Sequence, residues 1–175
     1  MKKEMQERIL GCMADVLNQN GFRAELLRQG DGNPLMLRCE NRAMGKVKKD
    51  VIIECCFIPI AMPSEETGLL QFFVTLFGGV PEMYAPMTKQ ACEYCNDFSA
   101  LGFFGFFQDA GQIFLKHNTL LDSSLEFEKV ITFVADNISL LFASVSRFID
   151  GLATVGFTGT PLQAAIDQEL FPRLG

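Results

Sequence analysis

The sequence is short of the features that mark nucleic-acid-binding, secreted and membrane-spanning proteins. Its 15 lysines and arginines face 21 acidic residues, which leaves a formal charge of −6. A nonspecific nucleic-acid binder needs a basic field to replace phosphate counterions. The opening MKKEMQERIL is charged and lacks the apolar segment of a secretory signal. The longest apolar stretches, VIIECCFIPIAM and ISLLFASV, are shorter than the ~20 apolar residues that span a bilayer. We therefore expect a cytoplasmic protein without nucleic-acid or membrane partners.

Motifs for catalysis and nucleotide binding are missing as well. There is no G-x-S-x-G elbow, and the pieces GDGNP, FGGVP and GFTGTP match neither a dinucleotide fingerprint nor a P-loop. His117 is the only histidine and stands between Lys116 and Asn118 in a predicted strand, which indicates an edge or surface histidine rather than a general base. The sequence therefore predicts no catalytic residue, no enzyme activity and no cofactor.

Six cysteines are present, and Cys92 and Cys95 have C-x-x-C spacing. In a redox motif of this kind the first thiol lies at a helix N-terminus, where the helix dipole stabilises the thiolate. Pro86 marks the start of the predicted helix, so Cys92 lies more than one turn inside it. A zinc site needs about four ligands, whereas Cys55 and Cys56 are adjacent in a strand and point to opposite faces. We expect free structural thiols and no metal site.

Apolar spacing and turn residues predict the order helix, four strands, helix, two strands, long helix, short helix. The strand DVIIECCFIPI is rich in β-branched and aromatic residues and is expected to be buried on both faces or nearly so. Four helices are predicted, at residues 2–20, 86 to about 101, 123 to about 151 and 160 to about 171. The last two begin at capping boxes, Ser123 with Glu126 and Thr160 with Gln163.

This order predicts the fold class and the domain organisation. Strands that come in runs, rather than alternating with helices, favour an α+β domain with a mainly antiparallel sheet. The sheet is packed by the N-terminal, middle and long C-terminal helices. We place this domain at residues 1–152, and residues 153–175 form an extension whose short helix packs on its own domain or on a second subunit.

The phenylalanines, 17 in all, indicate a possible interaction surface. In LLQFFVTLF one face is wholly apolar and suits a position under a helix, whereas the other face mixes large aromatic and polar side chains. QIFLKHN has the same asymmetry. Either a partner or a second helix of the same chain covers the mixed face. The candidate partner-binding residues are Gln71, Phe73, Phe77, Phe114 and Lys116.

The segment from ACEYCNDF to SVSRFID resembles the YbjN-type bacterial sensory transduction regulators. The similarity lies in a helix ending near Asn96, a hairpin turning at Asp109–Ala110–Gly111, and Leu120–Leu121 before a long helix. With the N-terminal helix and the strand order, it covers roughly residues 1–152.

The resemblance implies a fold similar to type III secretion chaperones, which are small, acidic, often dimeric proteins that bind other proteins without catalysis. It offers no catalytic residues to carry over. We therefore expect a non-catalytic, chaperone-like or regulatory protein whose partner is another protein or a second copy in a homodimer. The alternative is a small-molecule-binding protein or an enzyme with a pocket lined by Phe and Met.

Overall fold

The computed structural model describes residues 1–28, 30 and 33–173, and it confirms the predicted α+β class. The helices are α1 (Lys3–Gln19), α2 (Ala85–Asn96), α3 (Phe127–Thr158) and α4 (Leu162–Asp167), with a 3-10 turn at Glu82–Tyr84. The strands are β1 (Arg23–Leu27), β2 (Met36–Met44), β3 (Lys49–Phe57), β4 (Thr67–Phe77), β5 (Phe103–Phe107) and β6 (Gln112–Asp122). The six strands form one antiparallel sheet in the order β1-β2-β3-β4-β6-β5.

The chain forms two compact units. Unit 1 comprises Met1–Asn41, Ile52–Phe73 and His117–Ser139, and unit 2 comprises Arg42–Val51, Val74–Lys116 and Leu140–Gly175. In unit 1, α1 packs against β1, and its buried side chains belong to a core that includes Ile9, Met13, Leu37, Ile53 and Phe72. In unit 2, α2 packs against β5, and the core includes Phe104, Ile113, Leu115, Val145 and Phe148. The predicted boundary between residues 152 and 153 falls within α3.

Burial along the central strands alternates with period two. In β4, Leu70, Phe72, Val74 and Leu76 are completely buried, as predicted for the apolar face, whereas the alternate positions Leu69, Gln71 and Phe73 are partly exposed. The same alternation runs through β3, where Glu54 and Cys56 are partly exposed. The prediction that this strand is buried on both faces is therefore wrong. Apolar composition did not reveal that the alternate side chains of this strand stay partly exposed.

α2 and α3 end at residues other than those that the apolar pattern predicted. α2 ends at Asn96, where the resemblance placed its end, rather than near Leu101 as the apolar pattern predicted, and the Asn96 side chain is bonded to the backbone of Phe104. α3 continues past Gly151 to Thr158. The ring of Phe171 lies where a Cβ at Gly151 would be, so this glycine permits close packing and does not end the helix. Gly159, at φ +68°, supplies the left-handed residue that follows the helix.

Both predicted capping boxes are wrong. The Ser123 hydroxyl donates to the carbonyl oxygen of Glu66 at 2.8 Å, and α3 begins only at Phe127. The Thr160 hydroxyl lies 2.6 Å from that of Thr158, and Pro161 precedes the first residue of α4. In each case the hydroxyl is bonded to a group other than the helix amides.

The C-terminal extension packs on unit 2. α4 ends at Asp167 rather than near Phe171, and Glu169 has φ +61°. α4 contacts α2, the Phe171 ring meets the Tyr94 ring edge-on at 6.0 Å, and the Tyr94 hydroxyl donates to the Pro172 carbonyl at 2.6 Å. Of the two expected docking places, its own domain or a second subunit, the structure shows the first, with buried Phe171 as an anchor that the sequence analysis did not name.

β1 and β2 form the predicted antiparallel hairpin, with Arg23 opposite Glu40 and Leu27 opposite Met36. Asp31 and Gly32 of the predicted GDGNP turn lie outside the described residues.

β2 extends to Met44, so the polar segment NRAMGKVKKD is largely strand and turn. The carboxylate of Asp150 holds this turn, accepting hydrogen bonds from the Lys46 and Val47 N–H groups at 3.0 Å each.

α3 is the only helix of the described residues that is long and apolar enough to cross a membrane. Half of its most apolar window is buried inside the protein. A core helix of a soluble protein has the same length and composition, so this feature is weak evidence for a membrane span.

Candidate functional site: an aromatic platform on unit 2

The hairpin of β5 and β6 has one buried face and one outer face. In its register Phe103 stands opposite Lys116, Gly105 opposite Phe114, and Phe107 opposite Gln112. Directly opposite residues share a face of the sheet, so these six positions form the outer face. The alternate positions Phe104, Ile113 and Leu115 are buried in the core of unit 2.

Three phenylalanines form a compact cluster on this outer face, which we call the aromatic platform: Phe103, Phe107 and Phe114. Phe107 stacks on Phe114 with ring centroids 4.3 Å apart and an interplanar angle of 22°. Phe103 meets Phe114 edge-on at 5.9 Å and 87°. Phe114 is 5% exposed, whereas Phe103 and Phe107 are 51% and 49% exposed. The central ring is thus buried, whereas the two rings that contact it remain half-exposed.

Gly105 makes this arrangement possible. A Cβ at position 105 would lie 2.9 Å from both Cε atoms of Phe114, a distance too short for carbon atoms in contact. The Phe114 ring therefore lies across β5 in the space that a side chain at position 105 would need. This explains the glycine between two pairs of phenylalanines in FFGFF, because covering a strand glycine with a cross-strand aromatic ring also pins the register.

Polar groups border the platform. Gln112 donates from Nε2 to the Thr75 hydroxyl at 2.9 Å, and the partly exposed Lys116 lies at the opposite end of the hairpin. No carboxylate occupies any of the six outer positions. Exposed Asp109 lies in the turn that joins β5 to β6. The hairpin therefore carries a cation at its open end, a carboxylate at its turn and aromatic rings between them.

The edge of the sheet at β5 is partly blocked. β5 is the last strand in the sheet, but the Asn96 amide donates to the Phe104 carbonyl at 3.0 Å and accepts from the Phe104 N–H at 2.7 Å. These are the two bonds that an added strand would make to Phe104. The Asn96 side chain thus opposes strand addition at this edge and leaves the aromatic face as the open surface of the hairpin.

The residues predicted to bind a partner fall in both units. Gln71 and Phe73 lie on β4 in unit 1, both partly exposed. Phe77 is 9% exposed, and its ring packs edge-on against Phe157 at 5.6 Å, so it contributes to the packing of unit 2. Phe114 and Lys116 lie two residues apart on the outer face of β6.

The sequence analysis missed Phe103 and Phe107, which supply most of the exposed aromatic surface of the platform. The alternation of Phe103, Gly105 and Phe107 in FFGFF was the available signal. Only the register of the hairpin shows that these positions share a face with Phe114.

His117 is partly exposed but does not lie on an edge strand, which corrects the edge part of the prediction. β6 lies between β4 and β5, and the imidazole stacks on Phe72 with ring centroids 5.9 Å apart. Burial lowers the pKa of His117, and a hydrogen bond with the Asn137 side chain partly opposes this effect. Its contacts are those of a packed side chain.

Four of the six thiols, those of Cys39, Cys55, Cys92 and Cys95, lie in buried surroundings that suppress their reactivity. Cys92 lies inside α2, as expected, and is buried. Burial raises the pKa of Cys92 to about 12 and that of Cys39 to about 12, and it also raises the pKa of Cys55 and Cys95. Protonated thiols are poor nucleophiles and metal ligands. All six cysteines are free, and in the described ranges no three His, Cys, Asp or Glu side chains are grouped to hold a metal ion.

Unit 1 contains a cleft of about 310 Å³. A short ion pair between Glu7 and Arg28, at 2.5 Å, lies beside it, and the hydrogen bond from Arg28 lowers the pKa of Glu7. Among the described residues one Phe and one Met line the cleft, so it differs from the Phe- and Met-lined pocket of the small-molecule alternative. Its lining residues are Met1, Lys3, Gln6, Glu7, Leu10, Asn33, Pro34, Leu35, Phe57 and Pro59.

No protein-family model matches the chain, and no curated protein matches it.

Proposed function

We propose that this chain is a non-catalytic protein-binding protein, of the chaperone-like or regulatory kind that its resemblance to the YbjN-type proteins implies. The aromatic platform is its binding surface, and in the simplest case the partner is a second copy of the same chain. The free thiols fit a reducing compartment such as the cytoplasm.

The observation that carries this proposal is the half-exposure of Phe103 and Phe107 around a buried Phe114. Binding energy at protein interfaces concentrates in a few large aromatic side chains at the centre of the contact. Here the rings are held by stacking at 4.3 Å and by an edge contact at 5.9 Å. A surface that is already ordered loses little conformational entropy when a partner docks.

The charge of the face supports a second copy as the partner. Two chains of net charge −6 repel at long range, but the six outer positions of the hairpin carry one lysine and no carboxylate. This face is therefore one where two acidic copies can meet without placing carboxylates in the centre of the interface. Phenylalanine is also among the residue types enriched at interface cores.

The test is the double substitution Phe103→Ser with Phe107→Ser. Both side chains are half-exposed, so the variant should remain folded by circular dichroism while losing the self-association that sedimentation or light scattering detects in the wild-type chain. The matched control is Phe133→Ser on α3, because Phe133 is also 51% exposed but is absent from the platform. The control should self-associate like wild type.

A core variant distinguishes surface from interior. Leu115→Ser, at a completely buried position of β6, should cost about 2–5 kcal/mol of folding free energy. If the Phe103 and Phe107 variant unfolds as extensively as Leu115→Ser, the rings are part of the protein's own core. A wild-type chain that stays monomeric up to millimolar concentration would overturn self-association.

A further inference from the structure

The two ends of the β5–β6 hairpin carry opposite charges, and this polarity determines how two copies can meet. Phe103 and Lys116 stand opposite each other at the open end, and Phe107 and Gln112 stand next to the turn that contains Asp109. Lys116 makes no ion pair among the described residues. About six residues of strand and turn separate Lys116 from Asp109, so the platform lies between them.

Symmetry allows two ways of packing this face against itself. A two-fold contact uses the same patch on both copies, and the two-fold axis between stacked sheets runs either along the strands or across them. With the axis along the strands, each hairpin end meets the same end of the other copy, which places Lys116 near Lys116 and Asp109 near Asp109. With the axis across the strands, each open end meets a turn, which places Lys116 near Asp109 twice.

Electrostatics separates these two arrangements. Like charges placed opposite one another disfavour an interface, and complementary charges fix its register. Lys89, on α2, is the other cation recorded at the turn end, and its ammonium is bonded to the Gln108 side-chain oxygen at 2.8 Å. The carboxylate of Asp109 makes no ion pair among the described residues and is exposed to solvent.

We infer that two copies of this chain pack their aromatic platforms face to face with their hairpins antiparallel, so that Lys116 of each copy pairs with Asp109 of the other. This inference rests on the proposed function and specifies the partner's register. Phe103, Phe107 and Phe114 of both copies form the centre of the contact, and the two reciprocal ion pairs flank it. The sheets then stack at the usual spacing of about 10 Å, within reach of the lysine and aspartate side chains.

The experiment is a reciprocal charge exchange, read as the dimer dissociation constant in sedimentation at low salt. Lys116→Glu places two carboxylates opposite each other at each side of the contact, and Asp109→Lys places two ammonium groups opposite each other there. Each single variant should weaken self-association about 5- to 30-fold, from two lost surface ion pairs and the repulsion that replaces them. The double variant Lys116→Glu with Asp109→Lys restores both pairs and should return to the wild-type constant. Lys49→Glu, a charge reversal at an exposed position of β3 outside the hairpin, is the control and should behave as wild type.

The outcomes distinguish a wrong register from a wrong proposed function. With hairpins parallel, each single variant exchanges one like-charge pair for another, so single variants that dimerise as tightly as wild type overturn the antiparallel register. If those variants dimerise normally but Phe103→Ser with Phe107→Ser does not, the platform stands as the binding surface and only the register is wrong. Self-association unaffected by any of these changes would overturn both.

Discussion

The ring of Phe114 lies across β5 directly over Gly105, in the space that any other side chain at that position would fill. This contact joins the two strands of the hairpin through packing, in addition to their backbone hydrogen bonds. It also holds Phe103 and Phe107 on either side of the ring. One glycine thus makes possible both the hairpin's packing and the shape of its outer face.

The first prediction follows from this contact. Gly105→Ala should lower the free energy of unfolding by about 1–3 kcal/mol, because the new methyl group meets the Phe114 ring and forces it to move. Gly11→Ala in α1 is the control, since nothing lies within 4 Å of its Cβ position and alanine favours helix over glycine. Urea denaturation measures both. The interpretation fails if Gly105→Ala is as stable as wild type.

A second prediction concerns the Asn96 clamp on β5. Asn96→Ala removes both bonds to Phe104, which should cost about 1–3 kcal/mol at typical hydrogen-bond values, and it opens the strand edge to pairing with other chains. Asn96→Asp keeps the acceptor for the Phe104 N–H but places a carboxylate against the Phe104 carbonyl. It should fall between wild type and Asn96→Ala. Urea denaturation and light scattering over hours test stability and aggregation, and equal behaviour of all three proteins would contradict the clamp.

The third prediction is a pH dependence from the single histidine. Burial holds the pKa of His117 below its ordinary value, so the unfolded state binds a proton more readily than the folded state. Unfolding free energy should therefore be highest above about pH 6.5, the ordinary histidine pKa, and should fall as the pH drops below that value towards 5. In His117→Phe the unfolding free energy should no longer show this dependence on pH between about 5.5 and 7.5. Because there is one histidine, its imidazole resonance in NMR gives the folded pKa directly, and a value at or above 6.5 would contradict the prediction.

The fourth prediction tests the docking of the C-terminal extension. Phe171→Ala should cost about 3–5 kcal/mol, as expected for removing a buried aromatic ring, because that ring fills the space over Gly151 and contacts Tyr94. Truncation after Gly159 should lower the melting temperature as well. Gln163→Ala, at an exposed position of α4, serves as the control. A truncated chain that melts with the full-length protein would show that the extension adds no stability.

The fifth prediction concerns the cysteines. Buried thiols with raised pKa values should react with alkylating reagents only as fast as the protein opens, so Cys39, Cys55, Cys92 and Cys95 should stay unmodified in the native state and react in urea. A chelator should leave the melting temperature unchanged. The finding that would defeat this reading is about one zinc ion per purified chain, since structural zinc contributes many kcal/mol to folding.

Local features of the sequence were sufficient for the element order and the α+β class. Gly21 closes α1 with φ +83°, Pro86 lies in the first turn of α2, and the alternation in LLQFFVTLF places Leu70 and Leu76 in the interior. Each of these signals depends on neighbouring residues alone: a left-handed glycine, a fixed proline φ, and the period-two direction of strand side chains.

The remaining features depend on residues that are distant in the sequence. Gly151 lies inside α3 where Phe171, twenty residues later, packs against it, and Phe77 is covered by Phe157. The platform forms because the register sets Phe114 opposite Gly105 and so places Phe103 and Phe107 beside it. Composition shows that a side chain is apolar, and periodicity shows which face of its strand or helix it shares with its neighbours. Whether it ends in the core or on an open face depends on what the tertiary structure packs against it, and no local pattern contains that information.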